Sequence, residues 1–157
     1  MDTGPTHSID LTGDPSCIGP ARRFARQTID GHVEHPDAVL LMTSELVSNV
    51  IEHAHGALRM TIGLGPPVRV EVHNHQAATD AFRELIDDPT MPDESAPSGR
   101  GLALVRQLSS RMGLADDPGG GKVVWFEYAT ADREAVAVVL AGGRELADGE
   151  VEGPNPA

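Results

Sequence analysis

Leu40 to Ala54, LLMTSELVSNVIEHA, sets Glu45, Asn49 and His53 four residues apart inside an apolar helical pattern. In a helix, residues at i, i+4 and i+8 stack on nearly the same face, while Val39, Leu46, Val47, Val50 and Ala54 make a face that packs on a core. The stretch predicts a long helix from about Pro36, a favoured first-turn residue, to His55, closed by Gly56. A carboxylate, a carboxamide and an imidazole then share one rigid stripe. These suit a general base, an oxygen ligand for a hard metal and a neighbour of phosphate, respectively. The other reading of the same pattern is a solvated polar face without chemistry.

The elements around this helix set the fold class. Ser8 to Leu11 reads as an edge strand, and Pro15 or Ser16 to about Ile29 as a helix with Ile18, Ala21, Phe24, Ala25 and Thr28 facing inward. Leu58 to Leu64 and Val68 to Asn74 read as strands. Gly65-Pro66-Pro67 between them is too short for a crossover, so their pairing is antiparallel. Ala77 to Ser98, with three prolines and several acids, reads as a mobile lid carrying a short helix at Thr79 to Ile86. A helix at Arg100 to Ser110 and strands at Met112 to Ala115 and Lys122 to Tyr128 complete the pattern. The expected architecture is a two-layer α/β sandwich, with helices on one face of a mixed, mainly antiparallel sheet. It occupies residues 1–130. In the tail, 131–157, the opening Ala-Asp-Arg-Glu-Ala-Val-Ala-Val-Val-Leu suits a short helix, and the acidic Gly/Pro-containing remainder reads as disordered.

Two glycine-rich segments add chemistry. In Ser98-Gly99-Arg100-Gly101-Leu102-Ala103-Leu104-Val105, glycines flank an arginine directly before an apolar helical run. Backbone N–H groups at a helix start, with the positive end of the macrodipole behind them, make an anion site. A plain turn and helix start, with Ser98 as N-cap, fits the same letters. Gly119-Gly120-Gly121-Lys122 leads into the last strand. On turn chemistry it is a flexible hairpin turn, with Lys122 available as a point charge for phosphate.

Charge narrows the partners. With 12 basic against 24 acidic residues the formal charge is −12, which repels a phosphate backbone and argues against direct nucleic-acid binding. Aromatic residues make up 3%, so the core of this 157-residue chain rests on Val, Leu, Ile and Ala. Cys17 stands alone, which excludes an intrachain disulfide framework and leaves it as a small packed hydrophobe. No apolar run approaches about 18 residues and no basic-then-apolar leader opens the chain, so the expected location is cytoplasmic, without a membrane partner.

Taken in order, the motifs resemble the histidine-kinase-like ATPase superfamily, and within it the small actinobacterial regulators related to anti-sigma-factor serine kinases. Ser44-Glu45-Leu46-Val47-Ser48-Asn49-Val50-Ile51-Glu52-His53-Ala54 is similar to the N-box, Gly99-Arg100-Gly101-Leu102-Ala103-Leu104-Val105 to the second glycine box, and Gly121-Lys122-Val123-Val124-Trp125-Phe126 to the closing strand. Gly13-Asp14-Pro15-Ser16 and Ala21-Arg22-Arg23-Phe24 are similar to the family's opening, and the likeness covers roughly Ile9 to Thr130. The resemblance implies a Bergerat-type ATP-binding fold with ATP and Mg²⁺ as cofactors. Glu45 would activate the attacking hydroxyl or water, Asn49 would ligate Mg²⁺ between the phosphates, and the backbone of Gly99, Arg100, Gly101 and Leu102 would wrap the phosphates; His53 and Lys122, read as a phosphate neighbour and a point charge for phosphate, complete the candidate nucleotide contacts. One carboxamide oxygen is an adequate protein share of a magnesium site, since phosphate oxygens and waters supply the rest.

One position departs from that pattern. After Val68-Arg69-Val70-Glu71-Val72 the family places an aspartate whose carboxylate accepts the adenine amino group, and this chain has Asn74, between His73 and His75. The asparagine oxygen still accepts, but its nitrogen donates where the carboxylate had a second acceptor. Losing a charge-assisted bond in a buried site costs about 1 to 3 kcal/mol, or about one to two decades of affinity. Weak ATP binding, a guanine nucleotide whose carbonyl meets the Asn74 amide, and a pocket without nucleotide are three readings that stay open. His73 and His75 read as strand-end surface residues rather than a metal pair.

Two functions follow. The first is a partner-switching regulator that resembles anti-sigma factors: it sequesters a sigma factor and is countered by an anti-anti-sigma protein whose serine it phosphorylates. The second is a non-catalytic binding module with a degenerate pocket, for which Asn74 argues. A homodimer is compatible with either.

Overall fold

A computed structural model describes residues 4–87 and 100–129. Five strands are described: β1 (Thr6–Leu11), β2 (Leu58–Gly63), β3 (Val68–Asn74), β4 (Arg111–Asp116) and β5 (Lys122–Tyr128). They pair in the order β1-β2-β3-β5-β4, and all four pairings are antiparallel. The four α-helices among the described residues are α1 (Ile18–Ile29), after a 3₁₀ turn at Pro15–Cys17, α2 (Pro36–His53), α3 (Asp80–Asp87) and α4 (Arg100–Leu108). The two-layer α/β sandwich expected from the sequence is the fold observed, a Bergerat-type open sheet with helices packed against it.

Alternation assigns the faces. Leu58, Met60 and Ile62 of β2, Val68, Val70 and Val72 of β3, and Val124, Phe126 and Tyr128 of β5 are all buried in the core. The register places Val72 opposite Val124 and, two residues on, Asn74 opposite Lys122. Both belong to the buried face, and both are buried. The other face is polar: Arg69 stands 4.0 Å over the Trp125 ring and pairs with Glu71 at 2.8 Å and Glu127 at 3.3 Å.

α2 packs against α1 and α4 as well as β3 and β5. It therefore buries more than the one face of an ordinary surface helix: Ala38, Val39, Leu40, Met42, Thr43, Leu46, Val47, Asn49 and Val50 are all inside. It ends at His53, two residues short of His55, because Ala54 turns extended, with φ −148° and ψ 164°. α1 buries a face centred on Ala21, Ala25 and Ile29. Ile18 and Phe24 cover its margin, while the Thr28 hydroxyl donates back to the Phe24 carbonyl at 2.8 Å instead of joining the core. α3 is tied down from both sides, by an ion pair between Arg83 and Asp116 of β4 and by Arg106 of α4 donating to the Ile86 carbonyl at 2.8 Å. Residues 88–98 of the expected lid, Gly99 and the tail 131–157 lie outside the described residues.

Candidate functional site

Glu45 and Asn49 sit one turn apart on α2, and the first turn of α4 lies directly on them. A Cβ built on Gly101 would run into the Glu45 carboxylate oxygen, 3.0 Å from its carboxyl carbon and 3.1 Å from Asn49 Nδ2. Glycine is what allows backbone to come this close. The carboxylate and the carboxamide share one face of α2, as the i, i+4 spacing predicts, and the N–H groups that open α4 lie against them.

Each group is left with unused capacity. The Glu45 side chain is half-buried, its carboxylate has no hydrogen-bond or ion-pair partner among the described residues, and burial raises its pKa above the ordinary carboxylate value. Asn49 donates through Nδ2 to the Glu45 backbone carbonyl at 2.8 Å. Its Oδ1 is buried without a partner among the described residues. A buried, unpaired oxygen is unusual enough to need a reason, and a hard cation is a chemically suitable one.

A second cluster closes the other end of the same polar stripe. His53 packs its ring 5.4 Å from that of Phe82 on α3, tilted by 46°, with Nε2 buried and without a partner among the described residues. Asn74 Oδ1 accepts from the Gln76 backbone N–H at 2.9 Å and from Lys122 Nζ at 3.3 Å, and Asn74 Nδ2 donates to the carbonyls of His55 at 3.2 Å and Ala57 at 3.5 Å. Lys122 Nζ also donates to the Gln76 carbonyl at 3.0 Å and lies 5.7 Å from the centre of the Phe82 ring. Burial lowers its pKa.

The structure therefore sorts the predicted site residues into two groups. Glu45, Asn49 and Gly101 converge, Arg100 contributes the start of α4, and Leu102 spends its side chain in the core, leaving only its backbone for a ligand. Lys122 differs from the phosphate cation expected of it. Its place on the buried face of β5 turns the ammonium toward Asn74 and Gln76. The Asn74 amide, which one of the three open readings offers to a guanine carbonyl, is used up by two backbone carbonyls. Phe82 and Gln76 were not singled out from the sequence. The Thr79 hydroxyl that accepts from the Phe82 N–H at 3.1 Å is the one local signal for where Phe82 sits.

Residues 11–128 match the family model described as a histidine kinase-like ATPase domain. The chain belongs to that family. The match runs from the end of β1 to the end of β5, so the ATPase domain includes both clusters. No curated protein matches the sequence. No helix among the described residues is long and apolar enough to cross a membrane.

Magnesium and triphosphate fit the first cluster of this ATPase domain. The orphaned Asn49 oxygen would hold the metal, and the backbone beside Gly101 would hold phosphate oxygens. Adenine fits the second cluster poorly, because both lone pairs of Asn74 Oδ1 and both of its N–H groups already have partners.

Proposed function

We propose that the chain is a partner-switching regulator of the anti-sigma type, which transfers a phosphoryl group from a Mg²⁺-bound nucleoside triphosphate to a serine of an anti-anti-sigma protein and sequesters a sigma factor. The observation that carries this reading is the meeting, at the glycine-opened start of α4, of a burial-shifted Glu45 carboxylate with Asn49, whose oxygen is buried without a partner among the described residues. Glu45 takes the proton from the serine hydroxyl as its oxygen bonds to the terminal phosphorus and the bridging P–O bond breaks, and its raised pKa makes it a better base. Asn49 holds the metal, which when bound neutralises charge on the phosphates. The α4 N–H groups orient the phosphate oxygens.

The second reading, a non-catalytic binding module, is favoured by the saturated Asn74. The test is phosphate incorporation into the serine protein by the natural chain and by Glu45→Gln. The kinase reading expects Mg²⁺-dependent incorporation that the variant lowers at least about a hundredfold. Partner binding without incorporation, indifferent to Mg²⁺ and triphosphate, would establish the module instead.

A further inference from the structure

Lys122 is 1% exposed, yet no carboxylate among the described residues pairs with it. An ammonium stripped of water needs acceptors. It finds Asn74 Oδ1, the Gln76 carbonyl and the face of Phe82, itself 1% exposed. The orientation of Asn74 is unambiguous. Two carbonyl oxygens lie on one side of its amide and two N–H donors on the other, so a flipped amide would oppose like to like at all four contacts.

Residue 74 is where the resemblance puts the acceptor for the amino group of adenine. Here that oxygen already accepts an N–H, and the donor comes from the chain itself. We propose that Lys122 is a built-in substitute for the base: its ammonium fills the donor position that a nucleobase amino group would take, and with Phe82 over it the base end of the site is satisfied without ligand. The ligand class is then a Mg²⁺-bound triphosphate held at Glu45, Asn49 and Gly101 with no selection of its base. This inference rests on the triphosphate reading of that cluster and deepens it, since the phosphoryl donor would be any nucleoside triphosphate.

The register explains why the two residues act together. Asn74 and Lys122 are direct cross-strand partners on the buried face, and residues directly opposite one another are the closest side-chain pairs between adjacent strands. An aspartate at 74 would turn an oxygen on the His55 and Ala57 carbonyls. A residue without donors at 122 would free the second lone pair of Asn74 Oδ1.

The experiment is calorimetric titration of the full chain with ATP, GTP and CTP in the presence of Mg²⁺, repeated on Lys122→Met, which keeps the aliphatic bulk and removes the donors. The proposal expects affinities of the natural chain within about threefold of one another, and a preference for ATP of at least about tenfold in the variant. A tenfold preference of the natural chain for ATP or for GTP would overturn the proposal and leave the triphosphate reading standing, and so would equal affinities that Lys122→Met fails to change. Absence of binding for all three triphosphates would overturn both. The natural-chain comparison decides even if Lys122→Met does not fold.

Discussion

Asn49 Nδ2 donates to the Glu45 backbone carbonyl at 2.8 Å, one turn back along α2, and that bond decides which way the carboxamide faces. The nitrogen held by that bond is also the Asn49 atom that faces Gly101, so the oxygen points the other way, buried where no described group meets it. A stability role would have given this oxygen a donor.

Asn49→Leu is therefore expected to leave folding stability within about 1 kcal/mol of the natural chain, because the loss of the Nδ2 bond to the Glu45 carbonyl is offset by removing an oxygen buried without a partner among the described residues. Urea denaturation checks it. A loss above about 2 kcal/mol would make Asn49 a structural residue.

Glu45→Gln separates stability from chemistry. Burial raises the carboxyl pKa, so the folded chain disfavours the ionised form. Stability contributed by the protonated group is complete below the ordinary glutamate pKa and is lost as pH rises through the elevated folded value. The glutamine variant is expected to be more stable than the natural chain at pH 7.5. That gain should vanish near pH 4. Thermal melts across this range test it, and a constant difference at every pH would contradict the assignment.

Gly101→Ala drives a methyl group into the Glu45 carboxylate and against Asn49. The first turn of α4 must shift or Glu45 must rotate, at a cost of about 1–3 kcal/mol. Triphosphate affinity is expected to fall at least about tenfold in the same variant. Normal affinity in a normally folded variant would remove Gly101 from the site.

Asn74→Ala unties the turn after α2 from the end of β3. It leaves the His55 and Ala57 carbonyls, the Gln76 N–H and the buried Lys122 ammonium short of partners, and about 1–3 kcal/mol of stability should go with them. Hydrogen exchange should quicken first at the Gln76 amide, while the β3 amides around Val70 keep their protection.

Much of the fold was legible because its signals are local. β3 and β5 begin and end where alternation and turn residues put them, and β1, β2, α3 and β4 shift by one or two residues at their ends. α2 and the meeting of Glu45 with Asn49 follow from 3.6-residue spacing. What the sequence hid is the work of residue 122. A lysine after three glycines looks like a surface charge on a turn, and only the pairing of β3 with β5 turns it inward to face Asn74. The same long-range pairing used up the Asn74 amide, which in isolation reads as free to meet a ligand. The contact of Gly101 with Glu45 was half visible: the glycine marks a close approach without naming what approaches.

The most direct test of the central claim is calorimetric titration of the full chain with ATP, with and without Mg²⁺, beside Asn49→Leu. If Glu45, Asn49 and Gly101 form a metal-assisted triphosphate site, Mg²⁺ should strengthen binding by the natural chain at least about tenfold, and the variant should bind with metal as weakly as the natural chain does without it. Binding that ignores Mg²⁺, or that survives Asn49→Leu unchanged, would contradict the account.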